Sequence, residues 1–250
     1  MPGTLRRWGV DGIDAWRGLE LVEPVEEGNR NEVWRASLRG HTVSVRRSRR
    51  NAASLQWELD LIDRLDRLGF TVPAVHLTDD DRPSHKGLVV QRWIDGHAPA
   101  SPSEWAAVGR ELQRLHTELA EHPQRPGCLT VLELERTSVS VDADLAALPD
   151  DVAHKVLELF RSFADAPIGV IHGDPAPSNL RILPDGRVGL LDFDESRRDV
   201  LWHDLSNLGV QVLPDGDHRR ALQLSDAWEA ANAWVVEPDY ARERLAALDD

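Results

Sequence analysis

Apolar and polar positions alternate in short runs through the first fifty residues, and a period of two predicts strands. The stretch "LELVEPVEEGNRNEVWRASLRGHTVSVRRS" is broken at Gly28 and at Gly40-His41, which predicts an antiparallel meander turning at those points. The period changes after Asn51, a good N-cap: "AASLQWELDLIDRLDRL" sets Leu55, Leu59, Ile62 and Leu65 on one helical face, and Gly69 ends the helix. Two more β-prone runs, "FTVPAVHL" and "GLVVQRWI", flank the polar loop "TDDDRPSHK". Beyond the Pro/Gly-rich "DGHAPASPS" the period is mainly helical, over Glu104 to about Glu121, about Asp151 to Asp165, 218–234 and 238–248. One β-like insertion interrupts it, from "IGVIHGD" through "NLRILPDGRVGLLDFDES", with a turn at Pro184-Asp185-Gly186. The pattern predicts an α+β fold, with a small antiparallel β-sheet and one main helix over 1–95 and a mostly helical part over 96–250.

Composition narrows the function classes. With 250 residues, 41% hydrophobic and 29% charged, the chain has the makeup of a globular protein and not of a disordered or fibrous one. No apolar run approaches the roughly 20 residues that cross a bilayer. The start "MPGTLRRWGVDGIDAW" lacks the apolar centre of a signal peptide, so the cytoplasm is the expected compartment. The single cysteine, Cys128, excludes an intramolecular disulfide and a cysteine metal cage. A net charge of −14 repels nucleic acid and anionic membranes, and neither is expected as a partner. The basic patch "RRSRR", Arg46 to Arg50, carries little weight against that charge in a chain so biased toward arginine.

Candidate chemistry begins with "HGDPAPSNL", where His172-Gly173-Asp174 is followed by Asn179. Protein kinases separate a catalytic aspartate and a metal-binding asparagine by the same interval. Pro175 and Pro177 push the residues before them, Asp174 and Ala176, out of the α region and stiffen the loop. By composition alone the stretch also fits a turn between two strands. Further along, "LLDFDE" ends an apolar strand on Asp192, and a carboxylate there calls for a charge partner or a hard cation. Asn179 and Asp192 together supply about what magnesium asks of a protein. In the first half, "VSVR" ends on Arg46, where the corresponding kinase strand ends on its phosphate-binding lysine. Glu58 falls on the apolar face of the predicted helix and needs a cation, for which Arg46 is the candidate.

With these residues in order, the chain resembles the aminoglycoside phosphotransferase and choline kinase-like family of small-molecule kinases. "HGDPAPSNL" and "LLDFDES" carry the resemblance, joined by "GNRNEVWR", "VSVRR", Glu58, "VVQRWIDG" and "LQRLHTEL", and it covers roughly residues 20 to 210. It implies a two-lobed, protein-kinase-like fold with a nucleotide-binding lobe over 1–95 and a helical lobe over 96–250 that holds the catalytic loop and acceptor site. ATP and Mg2+ are the implied cofactors. Asp174 would orient the acceptor hydroxyl and take its proton, and Asn179 and Asp192 would bind magnesium. Arg46, backed by Glu58, would meet the phosphates, and the backbone at Gly28, Asn29 and Arg30 would cover them. Gln91, Trp93 and Ile94 would lie in the hinge that bonds adenine, while His172 and Asp204 would support the catalytic loop.

From Asp199 onward eleven acids face four arginines, a balance that favours a cationic acceptor. Asp226, Trp228 and Glu229 are the acceptor-side candidates. The expected activity is transfer of the ATP γ-phosphoryl group to a hydroxyl of a small molecule such as an aminoglycoside, aminosugar, amino alcohol or hydroxy amino acid. Two alternatives stay open. One is a pseudokinase-like nucleotide- or partner-binding module, suggested by arginine in the lysine position. The other is a kinase for a peptide hydroxyl, which calls for a longer segment between Asp192 and Asp204.

Overall fold

The structure is a computed structural model that describes residues 9–25, 32–137, 139–140 and 142–249. The alternating stretch forms β1 (Leu19–Pro24), β2 (Glu32–Leu38) and β3 (His41–Arg47), paired antiparallel in chain order. Leu38 pairs with His41, so the connection is a two-residue turn in which Arg39 (φ 52°) and Gly40 (φ 85°) are both left-handed. That turn type matches the twist of the strands it joins. The break expected at Gly28 lies outside the described residues.

Two further strands complete a five-stranded sheet in the order β1-β2-β3-β5-β4, with β5 at Leu88–Arg92 and β4 at Val75–His76. The run "LVV" in β5 is apolar at consecutive positions because both faces of the strand are covered. Leu88 and Val90 pack with Trp16, Trp34, Val43 and Val45, while Val89 points the other way onto Leu55 and Leu59. Those leucines belong to α1 (Ala52–Arg67), whose start is capped as expected: the Asn51 side chain accepts the Ser54 N–H at 2.9 Å. The predicted strand "FTVPAVHL" shrinks to two residues. Pro73 has no N–H to give a ladder, so Phe70 and Val72 are buried as loop instead.

The second half opens with α2 (Pro102–Glu118), which carries a capping box between Ser101 and Glu104. It continues through α3 (Val131–Thr137) and α4 (Asp150–Arg161) to α5 (His203–Ser206), α6 (Asp215–Ala233) and α7 (Pro238–Ala246). Phe160, Phe163, Leu224 and Trp228 form the centre of its core. The predicted β insertion divides into two separate ladders. β6 (Ile168–Ile171) pairs antiparallel with β9 (Arg197–Val200), and β7 (Leu180–Ile182) pairs with β8 (Val188–Leu190) around the expected turn. Sequence pattern missed β9 because "RRDV" reads as polar. Arg197 and Asp199 lie on one face of the strand and neutralise each other at 3.0 Å while fully buried. On the outer edge of β9 the Gln124 side chain acts as a partner strand: its amide donates to Arg198 O and accepts from Arg198 N–H, both at 2.9 Å.

The chain separates into two compact units. One holds the described residues up to His97 together with Arg181–Leu191, and the other holds Ala98–Leu180 with the described residues from Asp192 on. The β7–β8 hairpin joins the first unit through Ile182 N–H to His97 O (2.7 Å) and Leu190 N–H to Thr71 O (2.9 Å). No helix among the described residues is long and apolar enough to cross a membrane. Removing the α1 cap with Asn51→Ala is expected to cost about 1 kcal/mol, read as a lower midpoint in chemical denaturation with an unchanged slope.

Candidate active site

Asp204, at the start of α5, is fully buried and takes three hydrogen bonds. Its Oδ2 accepts the His172 N–H at 2.7 Å and lies 2.8 Å from His116 Nε2, and its Oδ1 accepts the Gly173 N–H at 2.9 Å. Burial alone would raise its pKa, but the hydrogen bond and charge of His116, the charge of His172 and the Gly173 amide outweigh it and hold the group at about 2. Two successive amides of the "HGD" turn are thus tied to one carboxylate from a different element. The His172 ring leans on Phe193 with centroids 4.9 Å apart, and its carbonyl accepts the Ser196 hydroxyl at 2.7 Å. Gly173 sits at φ +95°, and a Cβ there would come within 2.4 Å of Glu195 O, so the two loops approach as closely as backbones can.

Downstream of Asp174 the prolines act as their chemistry requires. Ala176, which precedes Pro177, is extended at φ −64° and ψ 154°, and Pro177–Asn179 then makes one 3-10 turn. The turn carries Asn179 back over the aspartate, where its amide donates to Asp174 O at 3.1 Å and to Asp174 Oδ2 at 2.8 Å. These two bonds use the amide nitrogen of the Asn179 side chain and leave its oxygen out of them.

Asp192 ends the strand region in the left-handed conformation, φ +53°, a position where a short polar side chain is tolerated because it can bond its own backbone. Asp192 Oδ1 lies 3.4 Å from the Asp194 N–H. The segment after it is held by Arg125, fully buried, whose Nη1 donates to the carbonyls of Phe193 (3.2 Å), Asp194 (2.6 Å) and Ser196 (3.2 Å). Sequence reasoning did not single out Arg125. The available signal was an arginine between two prolines in "PQRPGC".

In the first unit the structure pairs Arg46 with Glu58, both buried. Gly28, Asn29 and Arg30 fall outside the described residues. Gln91 lies within β5 opposite Ser44 and Val75, and its side chain donates to Pro73 O at 3.2 Å, so the sheet occupies it. Trp93 and Ile94 follow the strand. The Trp93 indole bonds Asp95 Oδ1 at 3.1 Å under the Arg35 guanidinium, and Ile94 is buried.

Within the second unit, Asp174 and the loop through Pro177 form one wall of a cavity of about 310 Å³, and Glu229, Ser225 and His203 line the rest with residues of α7. The three acceptor-side candidates separate according to the phase of α6. Glu229 and Ser225, four residues apart, share the cavity face. Trp228 turns instead into the core beneath the Arg197 guanidinium, 3.7 Å from the ring centre, and is not at the cavity. Asp226 turns toward α7 and pairs with Arg244 at 3.1 Å. His203, also missed by sequence reasoning, is buried at the cavity with Asp204 beside it in the chain.

Known proteins resemble the chain in sequence and in fold. The profile described as the phosphotransferase enzyme family (APH) matches residues 21–246. The homoserine kinase of Hyphomonas neptunium is 27% identical, over 98% of this chain and 80% of that one. Among solved structures, the choline kinase LicA from Streptococcus pneumoniae superposes with a TM-score of 0.63 at 18% identity, covering 92% of this chain and 91% of that one. A microcompartment-associated aminopropanol kinase gives 0.62 at 17% identity, covering 92% and 89%. These structures share the fold, a five-stranded antiparallel sheet followed by a helical part. The chain belongs to the phosphotransferase enzyme family and is an ATP-dependent kinase that acts on a hydroxyl group.

Two outcomes follow from this geometry. Gly173→Ala forces a methyl group onto Glu195 O at a left-handed backbone position, and is expected to cost roughly 1–3 kcal/mol and to depress turnover sharply. Acid stability forms the second. His203 is held neutral to about pH 3, first by burial and then by Arg197, against an ordinary value of 6.5. A depressed histidine binds more protons unfolded than folded. Its contribution is therefore complete above pH 6.5 and is lost as pH falls toward 3, by about 1.4 kcal/mol per pH unit. Asp204 adds a second loss between its ordinary 3.8 and about 2. Denaturation midpoints measured across this range are expected to fall from pH 6.5 downward, and to fall less steeply above pH 4 in His203→Gln.

Proposed function

We propose that the protein moves the γ-phosphoryl group of ATP to a hydroxyl of a small, amine-bearing molecule bound against Asp174. The observation that carries this is the charge of the cavity. Asp174 and Glu229 line it with carboxylates, while Arg244, which also lines it, is paired with Asp226 and donates to the Tyr240 hydroxyl at 3.1 Å. Such a pocket attracts an ammonium group and, with Asp174 in its wall, sets a neighbouring hydroxyl at the catalytic loop. Of the acceptors the resemblance implies, an amino alcohol or a hydroxy amino acid fits the volume best. Relatives named homoserine kinase and aminopropanol kinase point the same way.

In this reading Asp174 accepts a hydrogen bond from the acceptor hydroxyl, aligns its oxygen and takes its proton as the new bond to phosphorus forms. Asn179 fixes the aspartate in that orientation through its two bonds. The donor set suits a hard divalent cation. Asn179 and Asp192 offer oxygens, and no cluster of three or more His, Cys, Asp or Glu side chains that could hold a metal ion occurs among the described residues. That is the sparse protein share magnesium accepts when phosphates complete its shell. Bound there, Mg2+ would neutralise phosphate charge. In the first unit, Arg46 would meet the phosphates, with Glu58 fixing its guanidinium.

The chain between Asp192 and Asp204 is taken up by β9 and its flanking turns, which supports a small acceptor over a peptide. The retained Asp174, Asn179 and Asp192 support catalysis over a silent binding module. With ATP and Mg2+, a panel of amino alcohols, hydroxy amino acids, aminosugars and aminoglycosides is expected to yield one phosphorylated class, detected by coupled ADP release and mass spectrometry. Asp174→Ala is expected to lower kcat by about 10²–10⁴-fold with the KM for ATP little changed. Unchanged turnover in that variant would refute the role given to Asp174.

A further inference from the structure

The least satisfied polar group at the acceptor cavity is His203. Its side chain is 5% exposed, it lines the cavity with Asp174 and Glu229, and neither ring nitrogen has a hydrogen-bond partner among the described residues. Buried nitrogens are seldom left this way in a folded protein, and a site that a ligand completes is a recognised exception. No group around the ring bonds it among the described residues. The adjacent Asp204 spends both oxygens on His116, His172 and Gly173. Trp228 meets the ring at 86° with centroids 6.3 Å apart, and its indole N–H, itself unpartnered, is a donor only. Arg197 lies over that indole, 3.7 Å from its centre, and carries only donors. The imidazole thus lies edge-on to the Trp228 ring and is among the residues that line the cavity.

We infer that His203 is a specificity-determining residue that hydrogen-bonds an oxygen substituent of the acceptor, distinct from the hydroxyl that Asp174 receives. The inference rests on the kinase reading given above and extends it: the acceptor carries an amine, a reacting hydroxyl and a second oxygen group. Arg197 and burial keep the ring uncharged over the working pH range, so it offers one N–H donor and one lone-pair acceptor. Its N–H suits a hydroxyl or a carboxylate oxygen. Asp204 is anchored to the catalytic loop, so the position of His203 relative to Asp174 is fixed through the adjacent residue of the chain. A side chain so placed can measure the distance between the reacting hydroxyl and the second oxygen.

The test compares three acceptors that share an amino-propanol frame. 3-Amino-1-propanol has only the amine and the reacting hydroxyl, 3-amino-1,2-propanediol adds a hydroxyl, and L-homoserine adds a carboxylate. His203→Phe is expected to lower kcat/KM about tenfold, the value of one hydrogen bond to an uncharged group, on whichever oxygenated acceptor the wild type prefers. The loss should fall mainly in the acceptor KM, and 3-amino-1-propanol should be used equally by both enzymes. Whether the diol or homoserine shows the loss identifies the oxygen as hydroxyl or carboxylate. His203→Gln, which keeps a donor and an acceptor, should recover most of the discrimination. His203→Leu replaces the phenylalanine variant if that ring does not fit beside Trp228. An equal loss on all three acceptors, or none on any, overturns the inference while leaving the kinase reading intact. A wild-type enzyme that phosphorylates none of the three overturns the amino-alcohol and hydroxy-amino-acid reading, and this inference with it.

Discussion

One buried carboxylate organises the candidate site in the second unit. Asp204 lies in the interior at the head of a four-residue helix, where an unpaired charge would be prohibitive, and it is stable there because three donors converge on it. Two of the donors are consecutive amides of the turn that carries Asp174. The same interaction that satisfies the buried charge therefore sets the backbone of the Asp174 loop. Leucine at 204 would leave both amides without an acceptor, and asparagine would serve only one of them. The contact between Gly173 and Glu195 O and the bond from Ser196 to His172 O then join this loop to the segment that follows Asp192. A second anchor, Arg125, holds that segment from below by its carbonyls. Loops with few side-chain contacts of their own are thus fixed by charges drawn from distant positions in the chain.

The parts legible in sequence are those whose cause is local. Asn51, the leucine spacing after it and the turn at Gly40 each act within a few residues, and the first three strands and α1 form where the pattern places them. Glu58 was legible for a related reason. A carboxylate on the apolar phase of a helix has to find a cation, and Arg46 closes a strand that packs nearby. The prolines of "HGDPAPSNL" act on the residue immediately before them, and the extended Ala176 shows it.

What could not be read depends on distant partners. Arg125 bonds backbone atoms 68 to 71 residues away, and backbone carbonyls have no sequence signature. β9 looks polar because its arginine and aspartate cancel only when folded. In α6 the helical period was evident but its phase was not, since the helix is small-residue-rich and buried on several sides; Trp228 and Glu229 differ by one residue and so by about 100° around the helix. His203 sits in "LWHDLSNL", where a histidine reads as core filler until its lack of partners is seen.

The side chain of Gln124 has a bearing on how this protein behaves in a crowded solution. Strand β9 belongs to a ladder of only two strands, so its outer edge would offer Arg198 N–H and C=O as a template for a foreign strand. The primary amide of Gln124 has the same donor and acceptor spacing as a peptide group, and it occupies both sites. A single residue thus ends the sheet as a short counterfeit of the next strand. It closes the edge to self-association without a proline, a bulge or a charge that the neighbouring buried Arg197–Asp199 pair would have to tolerate.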